Sequence, residues 1–314
     1  MVSLSNHPPL DKLRASGADA LAQRLREVER IELRARKLAD DLLPGPHRSL
    51  FRGSGLDFEE LREYVPGDDM RAIDWNVTAR MGRPFVKLYR EERQISVYLA
   101  VDVSASLWFG TTRTSKRDLA LDVAALLAVS AVRSGDRTGL LLFSDRVEAF
   151  VRPRKGRQHA LRVIRDLVAW QPRRARTAVA PAARFLTNVA RRRSVVVLLS
   201  DLLLADARSI VGLARRHDVI AITLNDPREW DLPAVGIVAL EDAESGGIRY
   251  VDTDSGRVRA AYRAAAEKRV EERKRTLVSL GVEHLDLFTD RPYAQALMAF
   301  FRDRDRDRRL VAHG

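Results

Sequence analysis

Five short apolar runs recur between residues 95 and 288: "ISVYLAV", "RTGLLLF", "SVVVLLS", "VIAITL" and "VEHLDLF". Several carry apolar residues at consecutive positions, so a strand built from them cannot leave one face in water. Strands of that kind belong inside a sheet that is covered on both sides. Longer segments with apolar residues three and four apart lie between the runs, and the spacing predicts helices over 116–134, 157–169, 178–191, 205–216, 257–279 and 292–303. Strands alternating with helices imply a parallel sheet with helices on both faces. One connection differs. "RTGLLLF" turns through "SDR" into "VEAFV" at 147–151, which is too short a link for a parallel crossover and predicts an antiparallel hairpin. Gly135 follows the first of these helices and is expected in a left-handed cap.

The rest of the chain divides around this block. Leu21, Leu25, Val28, Ile31, Leu38 and Leu42 give a helical pattern over 17–42, and the prolines in "PGPHRS" stop it. The stretch 47–93 is dense in Gly, Arg, Asp and aromatic residues. It suggests a short strand near 58–64, a turn at "VPGDD" and a second strand near 85–90. It has too few periodic apolar positions for a core of its own. The division is therefore 1–93, an N-terminal helix and β-rich segment packed on the main domain, and 94–314, a doubly wound α/β domain with one antiparallel edge strand. Residues 225–255 form an insertion in the latter, holding short strands around "GIVAL" and "IRYV". The tail "RDRDRDRR" reads as a solvated helix end or a frayed terminus.

Composition narrows the chemistry. There are no cysteines, so disulfides, thiolate metal sites and a thiol nucleophile are excluded, and a reducing compartment suits the chain. No apolar run approaches the roughly 18–20 residues that cross a bilayer. The first residues lack a basic stretch followed by an apolar one. A cytoplasmic location is expected. The net charge is +12, which raises nucleic acid as a partner. The 55 basic residues comprise 7 Lys and 48 Arg, scattered through every predicted helix with acids between them, which is the pattern of solvated helix faces. Nucleic acid is not the expected partner. "GTTRTSKRD" is not a phosphate-binding loop, no G-x-S-x-G elbow occurs, and the six His have no ligand spacing.

The first buried run ends in Asp102, Ser104 and Ser106, a D-x-S-x-S motif at a strand's carboxyl end. Ligands of doubly wound sheets bind beyond such ends, where strand order reverses. Asp201 ends a second buried run, and Thr177 stands just before a predicted helix. Together they offer five oxygen donors from three loops. Hard oxygen ligands of this kind suit Mg²⁺, with Mn²⁺ or Ca²⁺ as alternatives. Three donors are neutral hydroxyls, so the ion would keep positive charge and an open position for a partner's acidic residue. Each residue also has a structural use, since Asp, Ser and Thr cap helices and close turns.

This set, D-x-S-x-S with a later Thr and a later Asp, resembles the metal-ion-dependent adhesion site of von Willebrand factor A domains over roughly residues 95–300. The third motif departs from theirs: Ser200-Asp201-Leu202 stands where most carry T-D-G. The segment "FRGSGLDFEELREYVPGDDMRAIDWNVTARMGRPFVKLYREE", with "DVSASLWFG", "SGDRTGLLLFSD" and "LLSDLL", resembles the domain-of-unknown-function family numbered 58. That family joins such a segment to a von Willebrand A-like domain and is often encoded beside MoxR-type AAA+ ATPases. The resemblance implies a non-enzymatic adaptor that works with such an ATPase in assembly or maturation of other proteins. Arg62, Tyr64, Asp68, Asp69, Arg71, Asp74 and Trp75 of the 47–93 segment are candidates for the partner-binding surface, and Trp75 is expected to pack rather than stand exposed. An enzyme alternative takes Asp102 as the nucleophile of a metal-dependent phosphotransferase or hydrolase. Such a site wants a second acid two residues on and a nearby Lys; Ser104 occupies the first of these places.

Overall fold

The structure is a computed structural model of the whole chain. It describes residues 10–42, 51, 60–66, 68, 70, 73–88, 95–170, 176–201, 209–241 and 247–312. The chain forms two compact units, residues 1–51 with 95–303, and residues 52–94 with 304–314.

The larger unit is built on a six-stranded sheet. Its strands are β3 (Ser96–Asp102), β4 (Arg137–Phe143), β5 (Val147–Arg154), β6 (Val195–Ser200), β7 (Asp218–Asn225) and β10 (Glu283–Phe288), in the spatial order β10-β7-β6-β3-β4-β5. All neighbours are parallel except β4 and β5. This is the doubly wound sheet with one antiparallel edge strand that the sequence implied. The hairpin strand runs three residues further than expected, to Arg154.

Alternation along the strands decides which helix covers which face. Val97, Leu99 and Val101 of β3 join Leu140 and Leu142 of β4 and Val195, Val197 and Leu199 of β6 in one apolar cluster. That cluster is closed by helices α3 (Lys116–Arg133) and α4 (Arg157–Ala169), and by residues of α1 (Leu10–Leu42) and α8 (Tyr293–Ala312). The intervening residues Tyr98, Ala100, Leu141, Phe143, Val196 and Leu198 face the other way. They pack with α5 (Val179–Val189), α6 (Val211–Arg216) and Leu277 of α7 (Gly256–Ser279). Burying each such Val, Leu or Ile contributes about 1.5–3 kcal/mol, which is why consecutive apolar residues are tolerated in β3 and β6.

Helix α3 has defined ends. Ser115 and Asp118 form a capping box, Ser115 Oγ accepting from Asp118 N–H while the Asp118 carboxylate accepts from Ser115 N–H. At the other end Gly135 adopts φ +72°, with Gly135 N–H donating to Val132 O and Asp136 N–H to Ala131 O. This is a Schellman closure, as expected of that glycine.

Several boundaries differ from the sequence reading. Helix α1 begins at Leu10, not 17, and lies in the larger unit. The charged tail continues α8 to Ala312. The predicted helix 205–216 is seen as α6 from Val211; residues 202–208 lie outside the described residues. The short strands expected in the 225–255 insertion are present and pair as a separate antiparallel ribbon, β8 (Ile237–Glu241) with β9 (Ile248–Asp252).

In the smaller unit, β1 (Glu60–Glu63) pairs antiparallel with β2 (Phe85–Leu88), as the two predicted strands suggested. Between them the structure adds a helix, α2 (Trp75–Met81), that the sequence reading did not foresee. Seven residues give too short a window for a helical period to show.

Candidate metal centre and its surroundings

Strand order reverses at β3: the chain goes from β3 to β4 on one side and returns to β6 on the other. The carboxyl ends of β3 and β6 therefore flank the switch point, where an open α/β sheet leaves a crevice. Register places Val101 opposite Leu199, so Asp102 stands beside Ser200. Ser200 Oγ donates to Asp102 Oδ2 at 2.6 Å, and Ser104 N–H donates to Asp102 Oδ1 at 2.8 Å. The second bond closes a local turn of the kind Asp favours, and it is the reason the chain bends sharply where β3 ends.

That bend aims Ser104 and Ser106 at each other, with their hydroxyl oxygens 3.0 Å apart. Thr177 reaches the same place from a loop 73 positions away. Ala178 N–H donates to Ser144 O at the end of β4, which fixes the loop. Thr177 Oγ1 then lies 2.8 Å from Ser104 Oγ and 3.4 Å from Ser106 Oγ. Ser104 and Ser106 are buried.

Asp201, the residue after β6, is also buried. Its Oδ2 accepts from Lys116 Nζ at 3.1 Å, whereas its Oδ1 has no hydrogen-bond partner among the described residues. A buried carboxylate oxygen without a donor is costly unless something positive meets it. Burial first, and the nearby Asp201 charge second, push the Asp102 carboxyl up to about 7, against the hydrogen bonds from Ser200 and Ser104. All five oxygen-bearing residues singled out from the sequence thus belong to one end of the sheet.

The three hydroxyls stand at hydrogen-bonding distances from one another, a spacing that would also suit a small hard cation. Adjacent oxygens in an Mg²⁺ octahedron, with ligands at 2.0–2.1 Å, are about 2.9 Å apart, and the hydroxyl triangle has edges of 2.8, 3.0 and 3.4 Å. The cluster is poor in strong ligands. Among the described residues, no group of three or more His, Cys, Asp or Glu is placed to hold a metal ion.

Four neighbours of this cluster were not singled out from the sequence. Ser200 orients Asp102. Lys116, at the first position of α3, is 1% exposed and bridges Asp201 and Glu229, the latter at 2.5 Å. Burial alone would lower its pKa, but the charges of Asp201 and Glu229 outweigh that and raise it, so the side chain is an ammonium ion. Arg273 of α7 donates to the Asp201 carbonyl at 3.2 Å. Asp226, after β7, accepts from Thr111 N–H, Thr111 Oγ1, Thr289 Oγ1 and Arg228 N–H, and so ties down the loop that follows Ser106. Its own pKa is lowered, those donors outweighing burial. Only Ser200 had a sequence signal, as the hydroxyl preceding Asp201 at a strand end.

The candidates in the smaller unit behave differently. Arg62 pairs with Asp68 at 2.6 Å, and Asp68 also accepts from Val65 N–H. That N–H first, and Arg62 second, hold the Asp68 carboxyl below its usual range. Tyr64 is half-buried, with its N–H donating to Pro84 O. Asp74 accepts from Val77 N–H at the start of α2. These contacts serve the turn and the helix cap. Trp75, the first residue of α2, is 66% exposed, contrary to the expectation that it packs. Asp69 and Arg71 lie outside the described residues.

Residues 60–272 match the family described as protein of unknown function DUF58. The chain belongs to the DUF58 family. The uncharacterized protein Rv1480 of Mycobacterium tuberculosis (strain H37Rv) is 38% identical over 305 residues, covering 96% of this chain and 95% of that one. Among solved structures, the chain is similar to the conserved hypothetical protein BatB from Bacteroides thetaiotaomicron, with a TM-score of 0.42 at 13% identity over 67% of this chain and 98% of that one. It is also similar to an aerotolerance-related membrane protein from Bacteroides fragilis, with a TM-score of 0.44 at 13% identity over 67% and 99%. Among the described residues of this DUF58 chain, no helix is long and apolar enough to cross a membrane.

Proposed function

We propose that this DUF58 protein is a non-enzymatic, cytoplasmic interaction module that takes a protein partner's carboxylate onto a bound divalent cation, Mg²⁺ in the first place. Ser104, Ser106 and Thr177 would hold the ion directly, with Asp102 and Asp201 assisting, in part through water. The cation would supply a Lewis-acidic point for the incoming carboxylate; the surrounding surface must supply the remaining affinity, since one polar contact is a small part of an interface. The observation that carries this reading is the convergence of the Thr177 hydroxyl, within 2.8 Å of Ser104 and 3.4 Å of Ser106, from a distant loop. The family resemblance supports a MoxR-type AAA+ ATPase as the machine served, in assembly or maturation of other proteins.

The phosphotransferase alternative gains a lysine at the site, Lys116, but that ammonium is bound to Asp201 and Glu229. Both Asp102 oxygens are taken up in hydrogen bonds, and Ser104 stands where the second acid would be needed. Those contacts favour the binding reading.

The test is thermal unfolding with Mg²⁺, Mn²⁺ or Ca²⁺ against chelator, together with a pull-down under the same two conditions. A ligand at tenfold its Kd stabilises by about 1.4 kcal/mol, or roughly 3–6 °C in a domain of this size. Wild type is expected to show that rise and chelator-sensitive partner capture; Thr177→Ala and Asp102→Ala are expected to lose both. Equal behaviour of all three proteins with and without cation would overturn the reading. Steady turnover of a phosphate ester, abolished in Asp102→Asn, would put the enzyme in its place.

A further inference from the structure

Lys116 is a buried charge at the site that the binding reading does not use. Its ammonium is 1% exposed, lies 3.1 Å from Asp201 and 2.5 Å from Glu229, and sits 5.8 Å from the centre of the Phe109 ring. Its backbone is fixed as well: Lys116 N–H donates to Phe109 O, and Ser115 before it caps the helix. Glu229 is held from its far side, its Oε2 accepting from Asp226 N–H. The positive charge therefore cannot swing away without leaving the buried Asp201 carboxylate unpaired, which is costly.

A fixed charge next to a metal ligand acts on the metal. The ammonium occupies Oδ2 of Asp201 and leaves Oδ1 for the cation, so it orients that carboxylate. It also repels a divalent ion. Because the pair is buried, salt screens that repulsion far less than at the surface.

Resting on the proposed metal reading, we infer that Lys116 is a built-in counter-ion that sets the cation affinity of this site, holding Asp201 in place while keeping binding of a divalent ion to the free protein weak. The bare site then fills only at high cation concentration. A partner's carboxylate, which both ligates the ion and offsets the charge of Lys116, tightens it, and by linkage the ion tightens the partner equally.

The experiment is Mn²⁺ titration of the full chain by calorimetry, with Mn²⁺ electron paramagnetic resonance as a second readout. The proteins are wild type, Lys116→Met, Lys116→Arg and Thr177→Ala, each checked for folding by circular dichroism. Wild type is expected to bind with a Kd in the millimolar range, Lys116→Met about tenfold more tightly, the order of effect of one partly screened neighbouring charge, and Lys116→Arg as wild type. Lys116→Gln carries the same expectation as Met should Met at this position not fold. A Lys116→Met or Lys116→Gln protein that binds no more tightly than wild type, while Thr177→Ala loses binding, overturns this inference and leaves the proposed function standing. Micromolar binding by wild type also overturns it, whatever the variants do. Absence of Mn²⁺ binding in every protein removes the proposed metal site and this inference with it.

Discussion

Asp102 shows how one residue serves two opposed demands. Its carboxyl is buried beside a second acid, and burial followed by Asp201 raises it to about 7. The unfolded chain releases this proton near the ordinary value of about 4. Between those two pH values the native state holds a proton that the unfolded state has lost. The native contribution of Asp102 is therefore fully present below about pH 4 and is lost as pH rises through 7. An amide at this position keeps the neutral shape without the charge. The metal-free Asp102→Asn protein is expected to be more stable than wild type at pH 8, by on the order of 1 kcal/mol or more, and to gain much less at pH 5. Denaturant unfolding in chelator at the two pH values checks this, and no difference in gain between them would contradict it. Ser200 belongs to the same account, because its hydroxyl to Asp102 Oδ2 is one of the donors opposing the rise.

Helix α3 is the element on which fold and site meet. Its buried face, including Leu119, Val123, Leu126 and Leu127, lies in the larger apolar cluster, and its first residue carries the ammonium that reaches Asp201. Its end is fixed by Gly135 at φ +72°, where an added Cβ meets open space but the backbone does not suit an L side chain. Gly135→Ala is expected to cost about 1 kcal/mol, seen as a fall in Tm of roughly 2–4 °C, with Mn²⁺ affinity unchanged because the site lies at the opposite end of the helix. The β8–β9 ribbon is a different kind of element. Register places Ile237, Ala239 and Glu241 on one face with Ile248, Tyr250 and Asp252. Ile237, Ile248 and Tyr250 there are exposed, while Val238, Leu240 and Val251 on the other face are half-buried. Two-stranded ribbons are marginal alone, so the half-buried face is what holds this one.

At the scale of the molecule, the net charge is +12, and several of its arginines are held in local pairs. Arg34 meets Asp122, Arg133 meets Asp40, Arg157 meets Glu32 and Arg263 meets Asp231. Largely exposed pairs of this kind contribute little to stability, but each sets an acid beside a base, the mixed pattern of a solvated surface. Binding to a short DNA duplex at 150 mM salt is expected to be no tighter than the 10⁻⁴–10⁻⁶ M typical of non-specific association. A fluorescence-anisotropy titration giving a nanomolar Kd with base preference would restore nucleic acid as the partner.

The sequence by itself determined the sheet and the order of its elements, because apolar runs with residues on both faces have no stable place except between two helix layers. It also determined the turn after β3, since Asp102 and Ser104 make that turn with their own atoms. The hairpin followed from chain length: "SDR" leaves no room for a crossover. The tertiary structure decided what lies across from what. Thr177 joins Ser104 and Ser106 from a loop that the Ser144 carbonyl anchors, and Lys116, the Asp226–Glu229 turn and Arg273 reach the site from three places whose local patterns are those of ordinary helices and turns. Local spacing records which face a residue occupies, but a buried ion pair depends on strand order and register, and these exist only once the whole sheet has formed.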